Sequence, residues 1–292
     1  MEASGIKAND SEAKGAEAIG QESLAFEAID CHCHVYPERI AERATAAVGD
    51  FYGIHMDVKD GTTSGLLEAN EGSPIKRHII HSVATRPDQV RNINDFIASE
   101  CKANDRFIGF MTLHQDLTDD ELQEEIDHAA SNGLRGIKLH PDTQRVNMDD
   151  PRLMRIYEIA QARNLPIIMH CGDYRYDYSH PKRMQRVCHD FPELTVDAAH
   201  FGGWSIFDLA VEYLQNENCF LDMSSSMAFI GKQRTRELAH IYGTDRIMFG
   251  SDFPMWSPKQ EYEEFISIGF TDDELEDMLR NNALRFLGEA QV

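Results

Sequence analysis

The chain has 292 residues, of which 42% are hydrophobic, and its 50 acidic against 28 basic side chains give a formal net charge of -22. Such a charge repels nucleic-acid phosphates and anionic lipid surfaces, so we expect neither nucleic acid nor a membrane as a partner. No stretch approaches the ~18 consecutive apolar residues of a membrane span, and six cysteines without paired Cys-x-x-Cys spacing indicate reduced thiols in a cytoplasmic protein.

The chain begins with a segment rich in small and acidic residues, MEASGIKANDSEAKGAEAIGQES. This segment lacks the basic opening and the apolar centre of a signal or transit peptide. Its composition is too polar to bury a core, so we expect a disordered leader over residues 1–24. One folded domain is then expected over residues 25–292.

Beyond the leader, short apolar bursts alternate with amphipathic stretches, a pattern typical of repeated strand and helix units. The eight strand candidates are, in chain order, FEAID, HIIHSVA, RFIGFMTLH, LRGIKLH, PIIMH, LTVDAAH, CFLDMS and RIMFGSD. Helices are expected at residues 37–48, 87–103, 118–131, 150–163, 181–190, 203–215, 231–242 and 258–267. Two further helices, TDDELEDMLRNN and NALRFLG, are expected to close the domain.

Eight strand and helix repeats in somewhat under 300 residues favour a single-domain α/β fold, the (β/α)8 TIM barrel. A doubly wound sheet would usually carry a glycine-rich phosphate loop after its first strand, and the chain has none. A polar insert around residues 51–77 separates the first helix from the second strand. We expect this insert to be a loop over the barrel mouth or a disordered linker.

The first strand ends in DCHCH, which places two histidines one residue apart. Side chains two apart share a face of a strand, so His32 and His34 are expected to point the same way, with Asp30 beside them. Cys31 and Cys33 would then face the other side. Two imidazoles on one face are able to share a metal, although an isolated His-x-His pair is weak support for a metal site.

Other strand candidates also end in chemically active side chains. Lys138 and His140 end the fourth strand, and His170, His200 and Asp252 end the fifth, sixth and eighth. In a TIM barrel the carboxyl ends of the strands converge on the active site, so we expect these residues to meet. Three or more nitrogen and oxygen ligands with an open position are typical of a catalytic zinc site.

The order DCHCH, GIKLHP, MHCG, AHFGG and FGSDFP resembles the amidohydrolase superfamily, over residues 26–288. The resemblance is specifically to the amidohydrolase-related (family 2) branch, which contains aminocarboxymuconate-semialdehyde decarboxylase-like enzymes. It implies that His32, His34, His170 and Asp252 bind one divalent metal, with Zn2+ as the first choice and Mn2+ or Fe2+ as alternatives.

The resemblance also implies catalytic roles. Asp252 would take a proton from the activated water, and His200 would be the acid/base group or a ligand to a second metal. Lys138 and His140 replace the bridging residue of binuclear relatives, so each is a candidate for a second-metal ligand or a substrate contact. Asp30 is the expected partner that orients a ligand imidazole.

Loops after the strands offer groups that are able to hold a substrate. Arginine is well shaped to bind a carboxylate through two hydrogen bonds, so we expect a small acid as the substrate. The substrate-binding candidates are Arg86, Tyr174, Arg175, Trp204 and Trp256.

Three enzymatic functions stay open on the residues alone. The leading hypothesis is a metal-dependent hydrolase that attacks an amide, ester or lactone bond. The alternative is a metal-dependent decarboxylase of an unsaturated or aromatic acid, which would use the same site. A TatD-like nuclease also begins with His-x-His, but the acidity of the chain and the lack of a glutamate after the fourth strand oppose it. We expect a homodimer only as the default for enzymes of this size.

The remaining histidines, including His78 and His81, are interpreted as incidental. His114 ends the third strand and is a candidate to line the barrel mouth. Cys33 and Cys171 lie near the site histidines, but small buried thiols are common in cores, so we expect no nucleophilic role.

Overall fold

Eight parallel strands occur where the apolar bursts predict them in the computed structural model, which describes residues 26–289. The predicted leader, residues 1–24, lies outside the described residues. The strands are β1 Ala28–His34, β2 Ile75–His81, β3 Phe107–Thr112, β4 Gly136–Leu139, β5 Ile167–Met169, β6 Val196–Ala198, β7 Leu221–Asp222 and β8 Ile247–Met248.

The strands close into a barrel. β1 to β6 pair in chain order, and β7 pairs with β8. The Ala198 amide donates to the Phe220 carbonyl at 2.9 Å, which joins β6 to the start of β7. The Cys31 amide donates to the Phe249 carbonyl at 3.0 Å, which joins β8 back to β1. The predicted TIM barrel is therefore confirmed.

Helices cover the outside of the barrel and follow most of the predicted positions. Proline occupies the first turn of several of them, where its missing N–H costs nothing. The helices are α1 Glu38–Tyr52, α2 Thr63–Ala69, α3 Val90–Ala103, α4 Asp119–Ser131, α5 Pro141–Gln144, α6 Pro151–Arg163, α7 Pro181–Asp190, α8 Phe207–Leu214, α9 Met227–Tyr242, α10 Pro258–Ile266, α11 Asp272–Glu276 and α12 Asn282–Phe286.

Two segments differ from the sequence-based expectation. The insert at residues 51–77 contains α2, because Thr62 caps that helix by accepting from the Gly65 amide at 3.0 Å and Leu66 is fully buried. The two closing helices are joined without a break by a π-helical turn, Asp277–Asn281. Both segments are thus more regular than the sequence pattern suggests.

The first strand carries a β-bulge that changes which side chains face inwards. Asp30 pairs with His78 and Cys33 with Ile80, so three steps along β1 oppose two along β2. Cys31 therefore packs inside the barrel with Ile29, whereas Cys33 packs in the outer layer. The expectation that Cys31 and Cys33 share a face is wrong, because the extra residue breaks the alternation.

The apolar core has two layers. The larger lies between the outer face of the strands and the helices, and the smaller fills the inside of the barrel at the amino ends of the strands. The smaller layer includes Leu284 and Phe286 of the α12 segment. Within residues 26–289, no helix is both long and apolar enough to cross a membrane.

Candidate metal centre and cavity

Five histidine side chains from four strands gather at the carboxyl end of the barrel. The ring centroid of His32 lies 5.3 Å from that of His34, 5.0 Å from that of His81 and 5.0 Å from that of His200. The His170 ring lies 4.9 Å from the His200 ring. The structure thus brings together the four histidines that the sequence places at the ends of β1, β5 and β6, and adds His81 from β2.

Asp252 faces the two histidines of β1. Its Oδ1 lies 3.6 Å from His32 Nε2 and 3.5 Å from His34 Nε2. The Ser225 hydroxyl donates to Oδ2 at 2.5 Å, which leaves Oδ1 directed at the imidazoles. The backbone of Asp252 is left-handed, with φ 58°, a conformation that aspartate tolerates better than most residues.

A buried carboxylate fixes the proton of His32. His32 Nδ1 donates to Asp222 Oδ2 at 2.7 Å, so its Nε2 carries a lone pair. Asp30, the expected partner of a ligand imidazole, instead accepts from the His32 backbone amide at 3.2 Å. Asp222 takes that role because the bulge turns Asp30 to the outer layer, where its Oδ2 lies 3.7 Å from His78 Nδ1.

Backbone carbonyls fix the protons of His170 and His200. His200 Nδ1 donates to the Ser224 carbonyl at 3.0 Å, and His170 Nε2 donates to the Gly172 carbonyl at 2.9 Å. A neutral imidazole carries one N–H proton, and each of these two rings uses it in the hydrogen bond to the backbone carbonyl. His200 Nε2 and His170 Nδ1 therefore carry lone pairs, and these two nitrogens lie 3.1 Å apart. Burial lowers the pKa of His200 to about 4 and that of His170 well below its usual range, so both rings are neutral at pH 7.

Lys138 and His140 lie on either side of this cluster. The Lys138 Nζ donates to His32 Nε2 at 2.7 Å, and burial lowers the pKa of this lysine to about 8 despite nearby carboxylates. His140 stacks on His170 with ring centroids 4.0 Å apart, and its Nε2 lies 2.7 Å from the Tyr52 hydroxyl. Lys138 is therefore inside the cluster, whereas His140 is directed at the cavity.

The donor set fits a divalent metal. Lone pairs that face one another without a proton between them are unfavourable unless a cation lies beside them. His81 is completely buried, and neither of its ring nitrogens has a hydrogen-bond partner among residues 26–289. His32, His34 and His81 offer nitrogens within 4.8 Å of one another. Neutral imidazoles with one carboxylate are typical ligands of catalytic metals.

A cavity of about 1000 Å³ opens above this cluster. His34, His170, His200 and Asp252 reach it from below. Aromatic side chains form much of its wall, namely Tyr36, Phe51, Tyr52, Tyr176 and Tyr178. The cavity therefore suits a flat apolar molecule that carries a polar group towards the cluster.

The sequence-predicted arginines do not line this cavity. Arg86 is exposed and pairs with Asp88 at 2.9 Å. Arg175 pairs with Asp173 at 2.7 Å and stacks over the Phe51 ring. Both guanidinium groups are occupied by carboxylates of the chain itself, because acidic residues lie two positions away in each loop.

The three predicted aromatic substrate contacts also lie outside the cavity wall. Tyr174 is 73% exposed. Trp204 packs against Tyr52 with ring centroids 4.9 Å apart, and Trp256 donates to the Ser225 hydroxyl at 2.8 Å. Trp204 and Trp256 thus support residues of the site rather than forming its surface.

Sequence reasoning missed four residues that build the site, His81, Asp222, Ser225 and Tyr52. A strand-end signal was available for two of them, because His81 ends β2 and Asp222 ends β7. Tyr52 ends α1 at the beginning of the polar insert, where no periodic pattern indicates a direction. His114 packs beside Asp116 and does not line the cavity.

Two glycines of the site motifs serve close packing. A Cβ on Gly172 would lie 2.5 Å from the Cα of Gly203, and Gly172 has φ 84°. The loops after β5 and β6 approach too closely for a side chain there. These loops carry His170 and His200 at their starts, so the two glycines help to hold the two imidazoles together.

Comparison with known proteins is consistent with this site. A family model described as amidohydrolase matches residues 29–288. The 2-amino-3-carboxymuconate-6-semialdehyde decarboxylase of Dictyostelium discoideum is 25% identical over 241 residues, which are 69% of this chain and 67% of that protein.

Solved structures share the fold. An uncharacterized TIM-barrel protein from Bordetella bronchiseptica matches with a TM-score of 0.72 and 21% identity, over 90% of this chain and 98% of that one. The 5-carboxyvanillate decarboxylase of Novosphingobium aromaticivorans, complexed with manganese and 4-hydroxy-3-methoxy-5-nitrobenzoic acid, matches with a TM-score of 0.67 and 15% identity. That match covers 90% of this chain and 96% of the other.

Proposed function

This chain belongs to the amidohydrolase family, whose model matches residues 29–288, and on that premise we propose that it is a metal-dependent carboxy-lyase. Its substrate would be a small aromatic or unsaturated carboxylic acid, from which it releases CO2. The observation that carries the reaction class is the similarity to the Dictyostelium discoideum decarboxylase over 241 residues. The aromatic wall of the cavity supports a flat substrate.

His32, His34, His170 and Asp252 would hold the metal, with Zn2+ as the first choice. Mn2+ is the alternative that the manganese complex of the 5-carboxyvanillate decarboxylase supports, and Fe2+ also suits such ligands. When bound, a divalent cation supplies a Lewis acid that stabilises negative charge on the substrate. His200 and Lys138 remain candidates for a second metal site or for substrate contact.

The chain must deliver a proton in this reaction. Loss of CO2 leaves the electron pair of the broken C–C bond on the substrate carbon, and one proton must be added there. We assign the proton delivery to Asp252, which would first take the proton from a water molecule and then pass it to the substrate carbon, because Ser225 holds its Oδ2 at 2.5 Å and leaves Oδ1 facing the cavity floor. His200 is neutral at pH 7 and presents Nε2 as a hydrogen-bond acceptor.

Tyr52 would hold the substrate from the side. The Thr143 amide donates to His140 Nδ1 at 3.5 Å, so His140 Nε2 donates to the Tyr52 oxygen at 2.7 Å. The hydroxyl hydrogen of Tyr52 is then free to donate to a substrate oxygen in the cavity.

A panel of acids tests the reaction class. CO2 release would be measured with hydroxybenzoates, 5-carboxyvanillate and muconate-like acids, in parallel with hydrolysis of lactones and amides. CO2 release from at least one acid is expected. Turnover of a lactone or amide alone would instead support the hydrolase, the second candidate, which the amidohydrolase family match favours.

Metal content tests the ligand assignment independently of turnover. Elemental analysis is expected to show that His170→Ala loses most of the bound metal, whereas His200→Ala keeps the metal and loses turnover. The opposite pattern would exchange the two roles.

We also propose a cytoplasmic location, because the six cysteines form no disulfide.

A further inference from the structure

The ammonium group of Lys138 lies where the candidate metal ligands converge. It donates to His32 Nε2 at 2.7 Å. That nitrogen carries the lone pair of the ring, because Nδ1 donates to Asp222. One lone pair binds one positive group at a time, so Lys138 and a divalent metal exclude one another at His32 Nε2.

An ammonium displaced from His32 needs another partner. Lys138 is completely buried, and a buried charge without a partner is strongly destabilising. Asp222 already accepts from His32 and from the Ser224 hydroxyl. Asp252 is assigned to the metal. The displaced ammonium therefore requires a third carboxylate.

Asp197 is a carboxylate that lacks a partner of its own. It is completely buried, and neither of its oxygens has a hydrogen-bond partner within residues 26–289. Val196 and Ala198 pack in the outer layer, so Asp197 between them faces the inside of the barrel. A buried carboxylate in this position is stabilised by a positive group that reaches it.

The sheet register places Lys138 and Asp197 in one row inside the barrel. Lys138 pairs with Ile168, and Ile168 pairs with Asp197 of the next strand. Ile168 packs in the inner apolar layer, so this row faces inwards. Two interstrand spacings separate the backbones of Lys138 and Asp197 by roughly 10 Å. The flexible four-carbon stem of lysine is able to bring its ammonium to a carboxylate that points inwards from the same row.

The protonation of Asp197 fits such a role. Burial and the adjacent Asp222 carboxylate raise the pKa of Asp197 well above its usual range, and the charge of Lys138 opposes this shift. Asp197 therefore keeps its proton while the ammonium is bonded to His32. On direct contact with Lys138 it would release that proton to solvent and form a neutral ion pair.

We propose that Asp197 is a positioning residue that receives the Lys138 ammonium when a divalent metal binds His32. Rotation of the lysine side chain would free the lone pair of His32 and leave no buried positive charge unpaired. This inference rests on the proposed function, because it takes His32 as a metal ligand. It does not depend on which reaction the metal serves.

Zn2+ affinity in a double-mutant cycle tests this exchange without turnover. Wild type, Asp197→Asn, Lys138→Met and the double variant would each compete for Zn2+ with a chromogenic chelator at pH 7. Asp197→Asn should weaken Zn2+ binding about tenfold, because the displaced ammonium has lost its partner. Lys138→Met should bind Zn2+ at least as tightly as wild type. In that background, Asp197→Asn should change the affinity less than about twofold, since coupled residues are not additive.

The cycle separates this role from a direct or a purely structural one. A tenfold loss from Asp197→Asn in both backgrounds would mean that Asp197 acts on the metal without Lys138. No loss in either background, or a weaker affinity in Lys138→Met, would also overturn the exchange. Glu125→Gln is the control, because it removes a buried carboxylate of α4 that accepts from Asn94 at 2.9 Å, outside the barrel. It should keep the wild-type affinity within about twofold, and urea unfolding checks that each variant folds.

Crystal structures of the wild-type protein test the exchange without any variant. Lys138 Nζ should lie within hydrogen-bond distance of an Asp197 oxygen in crystals grown with Zn2+, and of His32 Nε2 after treatment with EDTA. A lysine that turns to the cavity or stays on His32 in the Zn2+ crystals would contradict the proposal. Failure of the proposed function would show differently, as absence of CO2 release from every acid while Zn2+ still moves Lys138 to Asp197.

Discussion

The two ends of the barrel are built from the same eight strands but contain opposite kinds of side chain. At the amino ends, Ile29, Phe110 and Met248 pack against Phe286 in a fully apolar cluster. At the carboxyl ends, the inside is filled by imidazoles, carboxylates and a lysine, above which the cavity opens. The difference teaches that one end stabilises the fold and the other performs chemistry, as is usual for TIM barrels.

The polar end contains buried polar groups that have no hydrogen-bond partner in the described part of the chain. Both ring nitrogens of His81 and both carboxylate oxygens of Asp197 are buried without hydrogen-bond partners among residues 26–289. Buried polar groups without partners cost free energy of folding. If the two ends are functionally separate, substitutions at each should change different measured quantities.

The largest expected effect is on turnover at the polar end. Asp252→Asn should lower kcat about 10³-fold, or about 4 kcal/mol, because it removes the group assigned to carry the proton. The free energy of unfolding should change by less than about 1 kcal/mol, since asparagine tolerates the left-handed backbone. Steady-state CO2 release and urea unfolding measure the two quantities. Asp105→Asn, at an exposed position, is the control, and a variant that keeps more than a tenth of the activity would contradict the assignment.

The next effect is on stability at the apolar end. Phe286→Ala should lower the free energy of unfolding by about 3–5 kcal/mol, because the ring packs between Phe110 and Phe220 inside the barrel. Turnover per folded molecule should be unchanged. Phe229→Ala removes a ring that is 45% exposed and should cost less than about 1 kcal/mol. A loss of metal in Phe286→Ala would show that the two ends are coupled.

A smaller effect tests whether His81 belongs to the polar cluster. His81→Gln should weaken metal binding about tenfold, because a buried imidazole beside His32 and His34 is removed. His114→Gln, at the end of the neighbouring strand and outside the clusters, is the control. Competition with a chromogenic chelator measures both affinities. Equal affinity in the two variants would mean that His81 only fills space.

The smallest effect concerns the ion pair of Glu289 with Arg77 and Arg135. Hydrogen bonds from Arg77 at 2.7 and 2.9 Å, with help from Arg135, lower the pKa of Glu289 to about 2. A depressed carboxyl pKa stabilises the fold above the unfolded pKa, and this gain is lost as the pH falls through the folded value. Glu289→Gln should therefore cost about 1 kcal/mol at pH 7, after allowance for solvent screening.

Urea unfolding as a function of pH checks this prediction. The difference between wild type and Glu289→Gln should be constant above about pH 5 and shrink as the pH falls towards 2. A difference that grows on acidification would mean that the carboxylate is not the stabilising form.

The strands could be predicted from the sequence because each has a buried apolar burst, and the barrel follows from their number. The bulge in β1 could not, because an inserted residue leaves the local composition of DCHCH unchanged. The predicted orientation of Cys31 and the predicted partner of His32 are both wrong for this one reason.

The site was predictable where strand ends carry histidine or aspartate, since barrel geometry brings those ends together. In the loops, the sequence did not predict whether a side chain lines the cavity or lies on the surface. Arg175 and Arg145 both follow strand ends, yet one is paired with Asp173 and the other lines the cavity. That choice depends on neighbouring carboxylates and turn geometry, which periodicity does not encode.

The left-handed backbone at His200, Phe201, Ser225 and Asp252 also has an evolutionary consequence. β-Branched residues rarely adopt this conformation, so a drift to valine or isoleucine at these positions would cost folding as well as chemistry. A saturation scan should therefore recover mainly Asn, Asp, Gly and His there. The backbone at these four positions therefore restricts which single substitutions leave the fold intact, separately from any effect on turnover.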